Sequence, residues 1–225
     1  MNGNRERPRR LRSRSFLREM VAETDLALSQ LIQPYFLSPQ KVEYEPIAGF
    51  SGVNRWGEEA LIRQIVADRE RGLSHFLIFG KETDKDSVGS PGLREDSSVP
   101  KALRRLKKEL GDSVVLYTDV CLCPYTSHGH CGIWENQQVV NDPSVRQLVE
   151  MACVHAEAGA DFVAPSDMMD GRVGAIRTAL DEAGLARGGA RARVPPRQVR
   201  RAPPAAGRGR SSLAEPRPRL RHRGR

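Results

Sequence analysis

Short apolar runs alternate with amphipathic segments along the middle of the chain, and this alternation restricts the fold more than any other feature of the sequence. The run at 75–79, HFLIF, is apolar at nearly every position, which is typical of strands buried on both faces of a parallel sheet. Strands that alternate with helices form βαβ units, so the sequence predicts an α/β fold with a parallel sheet. The apolar spacing predicts helices over residues 57–71, 100–110, 143–159 and 171–183, with strands over 75–79, 113–117 and 161–164.

The amino-terminal part of the chain is less regular. Residues 1–15 are polar and rich in arginine, and they are predicted to form a basic arm. Apolar residues between 16 and 32 give a partly helical pattern that Pro34 ends, and a further strand is expected at about 42–48. With this strand and the three βα units, residues 16–185 make up about half of an eight-stranded barrel domain.

The composition changes after Leu185. Residues 187–225 hold 13 arginines and six prolines, and they contain no phenylalanine, tyrosine or tryptophan. Such a segment cannot bury enough apolar surface to offset the ordering entropy of its backbone, which costs roughly 1–2 kcal/mol per residue. We therefore expect residues 186–225 to be a disordered tail.

The net charge of +8 comes from the two ends of the chain, because residues 15–186 carry 17 basic and 26 acidic side chains. The basic tail has no aromatic side chain on which a base could stack, and the chain has no recognisable nucleic-acid-binding fold, so we expect no nucleic-acid partner. No apolar run reaches the length of about 18 residues that a membrane span needs. No secretory signal is recognisable either, so we expect no membrane association and a cytoplasmic location.

Three of the four cysteines lie within eleven residues, in the segment DVCLCPYTSHGHCG that follows the second predicted strand. In an extended segment, side chains two residues apart point the same way, so Cys121 and Cys123 can face one ion. Pro124 and Gly129 allow the chain to turn back and bring Cys131 to the same point. Such clustering is typical of a reduced metal site and not of a disulfide framework.

Three thiolates suit Zn²⁺, and three protein ligands leave the fourth tetrahedral position open, as in a catalytic zinc site. Alternatively, His128 or His130 fills that position and closes the site. The fourth cysteine, Cys153, lies within the helix predicted at 143–159 and is interpreted as a buried structural thiol.

Seven segments of the sequence, taken together, resemble one enzyme family. Residues 7–185 resemble the porphobilinogen synthase (5-aminolevulinate dehydratase) family, and the two longest segments are highly specific. By itself, the Lys85-Asp86 pair would be interpreted as a solvated turn. In chain order the segments are RPRRLR, LIQPYF, IFG, Lys85-Asp86, DVCLCPYTSHGHCG, Asn141-Asp142 and APSDMMDGRVGAIRTALD.

The resemblance implies the first half of a (β/α)8 TIM barrel and a hydro-lyase of heme and tetrapyrrole biosynthesis. Members of the family condense two molecules of 5-aminolevulinate to porphobilinogen, and they assemble as homo-oligomers through an amino-terminal arm. In the zinc-dependent branch the three-cysteine loop binds the metal beside the second substrate. Members without this zinc often carry aspartate there, so the chain resembles the zinc branch, with Cys121, Cys123 and Cys131 as metal ligands.

By the same motif match, Asp119, Ser166 and Asp167 would line the active site. All three follow predicted strands, at the end of the barrel where such enzymes place their chemistry. Without the resemblance, Ser166 and Asp167 could instead cap the helix that follows them. Asp170 is interpreted as the cap of that helix, and Met168 and Met169 as packing residues.

The family reaction also uses two lysines on later strands, which form Schiff bases with the substrates. The last lysine of this chain is Lys108, so we expect the chain to be inactive as written. The alternative function is that of a non-catalytic, zinc-binding remnant. A frameshift would explain the loss of the family pattern after Leu185, because codons for Ala-Ala-Lys-Tyr-Ala that are read two bases later encode the Arg-Gln-Val-Arg found at 197–200.

Overall fold

The fold is built around a six-stranded sheet with helices packed on one face. The computed structural model describes residues 8–185. Its strands are β1 (Gln33–Leu37), β2 (Tyr44–Pro46), β3 (Asn54–Trp56), β4 (His75–Phe79), β5 (Val115–Val120), β6 (Trp134–Glu135), β7 (Gln138–Val139) and β8 (Phe162–Pro165). Its α-helices are α1 (Ser15–Met20), α2 (Glu58–Glu70), α3 (Ser98–Leu110), α4 (Asn141–Glu157) and α5 (Arg172–Glu182). Short 3-10 turns occur at Pro8–Arg12, Leu28–Gln30, Ser90–Leu93 and Gly111–Ser113.

Five neighbouring strands of the sheet, β3, β1, β4, β5 and β8, run parallel. The strand order is β2-β3-β1-β4-β5-β8, and the pairs β1–β4, β4–β5 and β5–β8 are all parallel. At one edge, β3 pairs in parallel with the end of β1, and β2 is antiparallel to β3, while β6 and β7 form a separate hairpin. Helices α2, α3 and α4 each precede the next parallel strand along the chain. The predicted α/β fold of βαβ units is therefore confirmed.

Alternate side chains of the parallel strands are buried beneath the helices. Leu37, Ile78, Leu116 and Val163 are each at most 1% exposed and belong to one hydrophobic cluster with side chains of the helices. Burial of this kind contributes roughly 1.5–3 kcal/mol for each large apolar side chain. The main hydrophobic cluster therefore lies between the sheet and the helices, and its packing fixes the position of the helices on the parallel strands.

The opposite face of the sheet is aromatic and only half-buried. Phe36 stacks on Phe79 with ring centroids 5.0 Å apart, and Tyr117 stacks on Phe162 at 4.7 Å. The apolar HFLIF run predicts burial on both faces, yet residues 8–185 fully cover only the face toward the helices. The face of the sheet opposite the helices therefore carries aromatic side chains, as the interior of a barrel would.

The amino-terminal prediction was partly wrong. Residues 16–32 form only the short helix α1 and a 3-10 turn, and Pro34 lies inside β1 instead of ending a helix. A proline is tolerated here because β3 pairs only with Phe36 and Leu37, which leaves β1 paired on one side at Pro34. The strand expected at about 42–48 is the three-residue β2.

The predicted helix caps also differ from those in the structure. Helix α4 begins at Asn141 itself and the residue before α5 is Gly171, so the side-chain caps predicted at Asn141 or Asp142 and at Asp170 do not form. Instead, Asn141 Oδ1 accepts from the Asp170 amide at 2.7 Å, and its Nδ2 donates to the Asp170 carbonyl at 3.3 Å. These two bonds fasten the loop after β8 to the start of α4.

His155 links α4 to the strand β5 in the interior. Its side chain is fully buried, and its Nδ1 lies 3.2 Å from the Thr118 hydroxyl. Within the described part of the chain its Nε2 has no hydrogen-bond partner. Burial lowers the pKa of His155 from 6.5 to about 4, because a charged imidazole has no compensating anion there.

This buried imidazole predicts a specific loss of stability in acid. The unfolded chain, with a histidine pKa near 6.5, takes up the proton before the folded chain does. The contribution is therefore complete above about pH 6.5, and about 3 kcal/mol of unfolding free energy is lost as the pH falls to 4. Urea denaturation at pH 7, 5.5 and 4 would measure this slope. His155→Gln should flatten it, and an equal slope in the variant and the parent would contradict the assignment.

Among residues 8–185, no helix combines the length and the apolar character needed to cross a membrane. The tail predicted at 186–225 lies outside the described residues, as do the first seven residues of the predicted arm. The described part of that arm is a 3-10 turn at Pro8–Arg12.

Candidate metal centre and active site

The carboxyl ends of β5 and β8 lie side by side and carry the predicted site residues. Asp119 is paired in register with Ala164, and the amide of Ser166 donates to the carbonyl of Val120 at 3.2 Å. The cysteine loop starts directly after β5, and Ser166 and Asp167 start the loop after β8. Both loops therefore emerge at the end of the parallel sheet where α/β barrel enzymes place their chemistry.

The three cysteine sulfurs meet in one cluster. The Sγ atoms of Cys121, Cys123 and Cys131 lie within 4.8 Å of one another, and the first two are 3.3 Å apart. Sulfurs that bind one tetrahedral Zn²⁺ at about 2.3 Å are themselves about 3.8 Å apart. All three cysteines are free thiols, so the cluster fits a thiolate-binding metal ion after small side-chain movements.

The two histidines of the loop lie outside this cluster. Of the described residues, only the three cysteines belong to it. His128 Nε2 donates to the Ser87 carbonyl at 3.0 Å, and its Nδ1 accepts from the His130 amide at 3.1 Å. The His130 ring stacks on Trp134 with centroids 4.2 Å apart. The structure therefore favours the alternative in which neither histidine closes the site.

Without a metal, two of the three thiols are hard to ionise, whereas the hydrogen bond with Cys121 lowers the pKa of Cys123. Burial raises the pKa of the Cys131 thiol to about 11. The hydrogen bond with Cys123, together with burial, raises the pKa of Cys121 well above its ordinary value. A metal ion must therefore displace protons from the cluster when it binds.

The loop that carries the cysteines is folded by its own backbone. The amides of Tyr125 and Thr126 both donate to the Leu122 carbonyl at 2.9 Å, which makes a tight turn directly after Cys121. The Thr126 hydroxyl donates to the carbonyl of His130 at 2.9 Å and closes the other end. Gly129, with φ of +75°, supplies the left-handed turn between them. The predicted turn-back at Gly129 thus brings the third cysteine to the other two.

Asp119 lies at the end of β5, two residues before the first cysteine. Burial raises its pKa to about 6, a hydrogen bond with Ser166 opposes this, and the nearby charge of Asp167 adds to it. A carboxyl group with a pKa near 6 can both hold and release a proton close to neutral pH. The structure thus brings together all three residues that the motif match predicts, and the Ser166 side of the site is exposed.

Asp167 is held by a residue that the sequence did not single out, Arg172. Its carboxylate is fully buried, and the Arg172 Nε lies 3.0 Å from Asp167 Oδ1. The same oxygen accepts from the Met169 amide at 2.8 Å, and Arg172 Nη1 donates to the Met169 carbonyl at 2.8 Å. Burial raises the pKa of Asp167, while these partners oppose the rise. Of the two methionines predicted to pack, Met169 is buried and Met168 is 78% exposed, so that prediction was half wrong.

Comparison with known proteins decides the family. The sequence profile of the family described as delta-aminolevulinic acid dehydratase matches residues 5–189, which include every candidate site residue. The delta-aminolevulinic acid dehydratase of Mycobacterium leprae is 44% identical over 185 residues, which cover 81% of this chain and 56% of that protein. The chain belongs to the delta-aminolevulinic acid dehydratase family.

Other members of the delta-aminolevulinic acid dehydratase family give the same picture. The Escherichia coli enzyme is 42% identical over 180 residues, which cover 80% of this chain and 55% of that protein. The crystal structure of the Toxoplasma gondii enzyme, in complex with the reaction product porphobilinogen, matches with a TM-score of 0.78 at 37% identity. That match covers 84% of this chain and 53% of the other. The described fold is therefore the first half of a (β/α)8 barrel, and the chain spans about half the length of its curated relatives.

Three residues around the candidate site were not given these roles from the sequence. Arg172 and Asn141 fasten the loop after β8, and Asp86 contacts the cysteine loop. Arg172 could have been found as the first cation after Asp167 in the APSDMMDGR segment. The Asn141 side chain bonds the Asp170 backbone and the Asp86 backbone bonds the cysteine loop, and neither partner could be identified from the sequence.

Proposed function

We propose that this chain provides the metal-bearing half of an active site that forms porphobilinogen. In this reaction two molecules of 5-aminolevulinate combine through one carbon–carbon and one carbon–nitrogen bond, and two molecules of water leave. The proximity of three thiols to Asp119 at the ends of β5 and β8 is the observation that carries the proposal. Membership of the family supports the substrate assignment.

We propose Zn²⁺ as the metal, held by Cys121, Cys123 and Cys131. The donor set supports this choice, because thiolates prefer zinc to the magnesium and calcium ions that carboxylates bind. When bound, a zinc ion with a fourth position free supplies a Lewis acid for an oxygen of the substrate.

The protein groups beside the metal would handle protons and orientation. Asp119, with its pKa of about 6, holds a proton in weak acid and accepts one at neutral pH, which suits the proton removals of a condensation. Asp167 is fixed by Arg172 and by the Met169 amide, so its charge keeps one position. Ser166 is an exposed residue whose side chain hydrogen-bonds Asp119, which supports a role in contacting a substrate.

We further propose that the 225-residue polypeptide does not turn over by itself. Its last lysine is Lys108, on α3, so no later residue can form the Schiff bases of the family reaction. The family match ends at residue 189, which supports a change of reading frame near that point. Sequencing the gene across codons 180–200 tests the frameshift, and an unshifted frame without family motifs downstream would refute it.

We also propose a division of the chain into three segments. Residues 1–15 would be an assembly arm, 16–185 the partial barrel and 186–225 an out-of-frame tail. The segment directly after the arm is rich in exposed apolar side chains, with Phe16 56%, Met20 70% and Leu26 74% exposed. Exposed apolar side chains in this number support assembly with further copies of the chain.

Metal content and turnover can be measured on the same preparation. We expect about one zinc per chain after dialysis and no porphobilinogen from 5-aminolevulinate. Elemental analysis and a colorimetric porphobilinogen assay provide the two readings. Absence of bound metal would refute the metal centre, whereas product formation by the purified chain would refute its proposed inactivity.

A further inference from the structure

Asp86 forms the centre of a closed turn after β4, at the Lys85-Asp86 pair that by itself would be interpreted as a solvated turn. Its Oδ1 accepts from the amides of Val88, Gly89 and Ser90 at 3.0, 2.6 and 3.0 Å, and its Oδ2 accepts from the Ser90 hydroxyl. Four donors converge on this one carboxylate. The segment is a turn, as the pair taken alone indicates, and Lys85 is exposed, whereas the Asp86 carboxylate is bonded within the turn and Asp86 is half-buried.

The backbone of the same residue is joined to the cysteine loop. The Asp86 amide donates to the Tyr125 carbonyl at 3.3 Å, and the Ser127 amide donates to the Asp86 carbonyl at 2.7 Å. These bonds make a parallel bridge between Asp86 and Thr126. Next to it, the Ser87 carbonyl accepts from the His128 ring. The middle of the cysteine loop, between Cys123 and Cys131, thus rests on the Asp86 turn.

Two glycines of the turn allow this close approach. Gly89 has a φ of +75°, and a Cβ there would lie 3.2 Å from the Leu122 side chain. A Cβ on Gly92 would lie 2.7 Å from the buried ring of Tyr125. Gly89 therefore packs closely on Leu122 and Gly92 on Tyr125, so the backbone at 89–92 leaves the cysteine loop little room to move.

We propose that Asp86 is a positioning residue for the cysteine metal centre. Its carboxylate fixes the turn at 86–90, and its backbone then holds Tyr125–Ser127 so that the cysteines on either side meet. The inference rests on the metal binding given under the proposed function. Supporting groups around a metal site commonly change its affinity by 10–100-fold, and a loop that is too loose by a fraction of an ångström binds poorly.

Asp86→Ala tests this role on the full 225-residue chain. We expect its Zn²⁺ affinity, measured by competition with a chromophoric chelator, to fall about 10-fold. Its Co²⁺ complex should show weaker thiolate charge-transfer absorption. Asp86→Asn, whose amide oxygen can still accept from the three backbone amides, should recover most of the affinity. The matched control is Asp84→Ala, because Asp84 lies in the same loop but pairs only with the exposed Arg94 among the contacts described, at 2.6 Å.

A second measurement needs no variant. If the turn positions the loop, bound metal must in return stabilise the turn, because coupling between two sites is reciprocal. Hydrogen exchange of the parent chain should therefore slow in peptides covering 84–93 when Zn²⁺ is added. This exchange measurement tests the positioning role even if the Asp86→Ala variant does not fold.

The outcomes separate the two proposals. A parent chain that binds no Zn²⁺ would overturn the metal centre and this inference with it. A parent that binds Zn²⁺, with equal affinity in Asp86→Ala or with unchanged exchange at 84–93, would overturn the positioning role alone.

Discussion

Replacing Cys131 with serine is expected to weaken Zn²⁺ binding by the chain at least about 100-fold. Complete thiolate and imidazole sites bind zinc with apparent free energies of about 10–16 kcal/mol, so each ligand contributes several kcal/mol. A serine hydroxyl keeps its proton at neutral pH and is a poor zinc ligand. The Cys131 sulfur lies within 4.8 Å of both other thiols, so its loss leaves only Cys121 and Cys123. Chelator competition gives the dissociation constants.

Cys153→Ser is the matched control for this experiment. Cys153 is half-buried on α4, packs against the core and lies outside the sulfur cluster. Its loss should leave the Zn²⁺ affinity within about twofold of the parent, because no ligand has been removed. Equal losses in the two variants would show that the cysteine loop is not the metal site.

The parallel half of the fold could be predicted because its signal is local. Helices α2, α3 and α4 and strand β4 match the periodic segments within a few residues. Strand β1 was missed because Pro34 argues against a strand, and only the sheet neighbours show why it is tolerated there. The predicted burial of both faces of HFLIF is observed for one face only, because residues 8–185 leave the other face half-buried.

The part of the candidate site whose residues are close together in sequence could be predicted. Asp119, Cys121 and Cys123 are separated by single residues, so they stay close together, although β5 ends at Val120 and Cys123 lies in the turn that follows, not in the extended segment that was predicted. The backbone bond of Asp86 with Tyr125 and the bonds of the Asn141 side chain with the Asp170 backbone join segments 29 or more residues apart. Such pairings depend on tertiary packing, and no residue type in the sequence specifies them.

Arg172→Met is expected to reduce the unfolding free energy by about 3–5 kcal/mol at pH 7. The Asp167 side chain is 0% exposed and that of Arg172 is 12% exposed, so the pair is buried. Removal of the guanidinium leaves a carboxylate in the interior with only the Met169 amide as a partner among the bonds described. Breaking one half of a buried pair costs that much because the remaining charge is uncompensated. Urea denaturation measures the loss.

Two comparisons separate the buried charge from simple loss of packing. Arg63→Met breaks an exposed pair with Glu43, whose side chains are 60% and 64% exposed, and should cost less than about 1 kcal/mol. Without Arg172 the pKa of Asp167 rises further above its unfolded value, so the folded variant takes up a proton more readily and its deficit should shrink as the pH falls from 7 to 5. Asp167→Asn combined with Arg172→Met should likewise recover stability, because the buried charge is gone. A deficit independent of pH that is unchanged in the double variant would mean that Arg172 acts through its aliphatic stem and not as the counter-ion of Asp167.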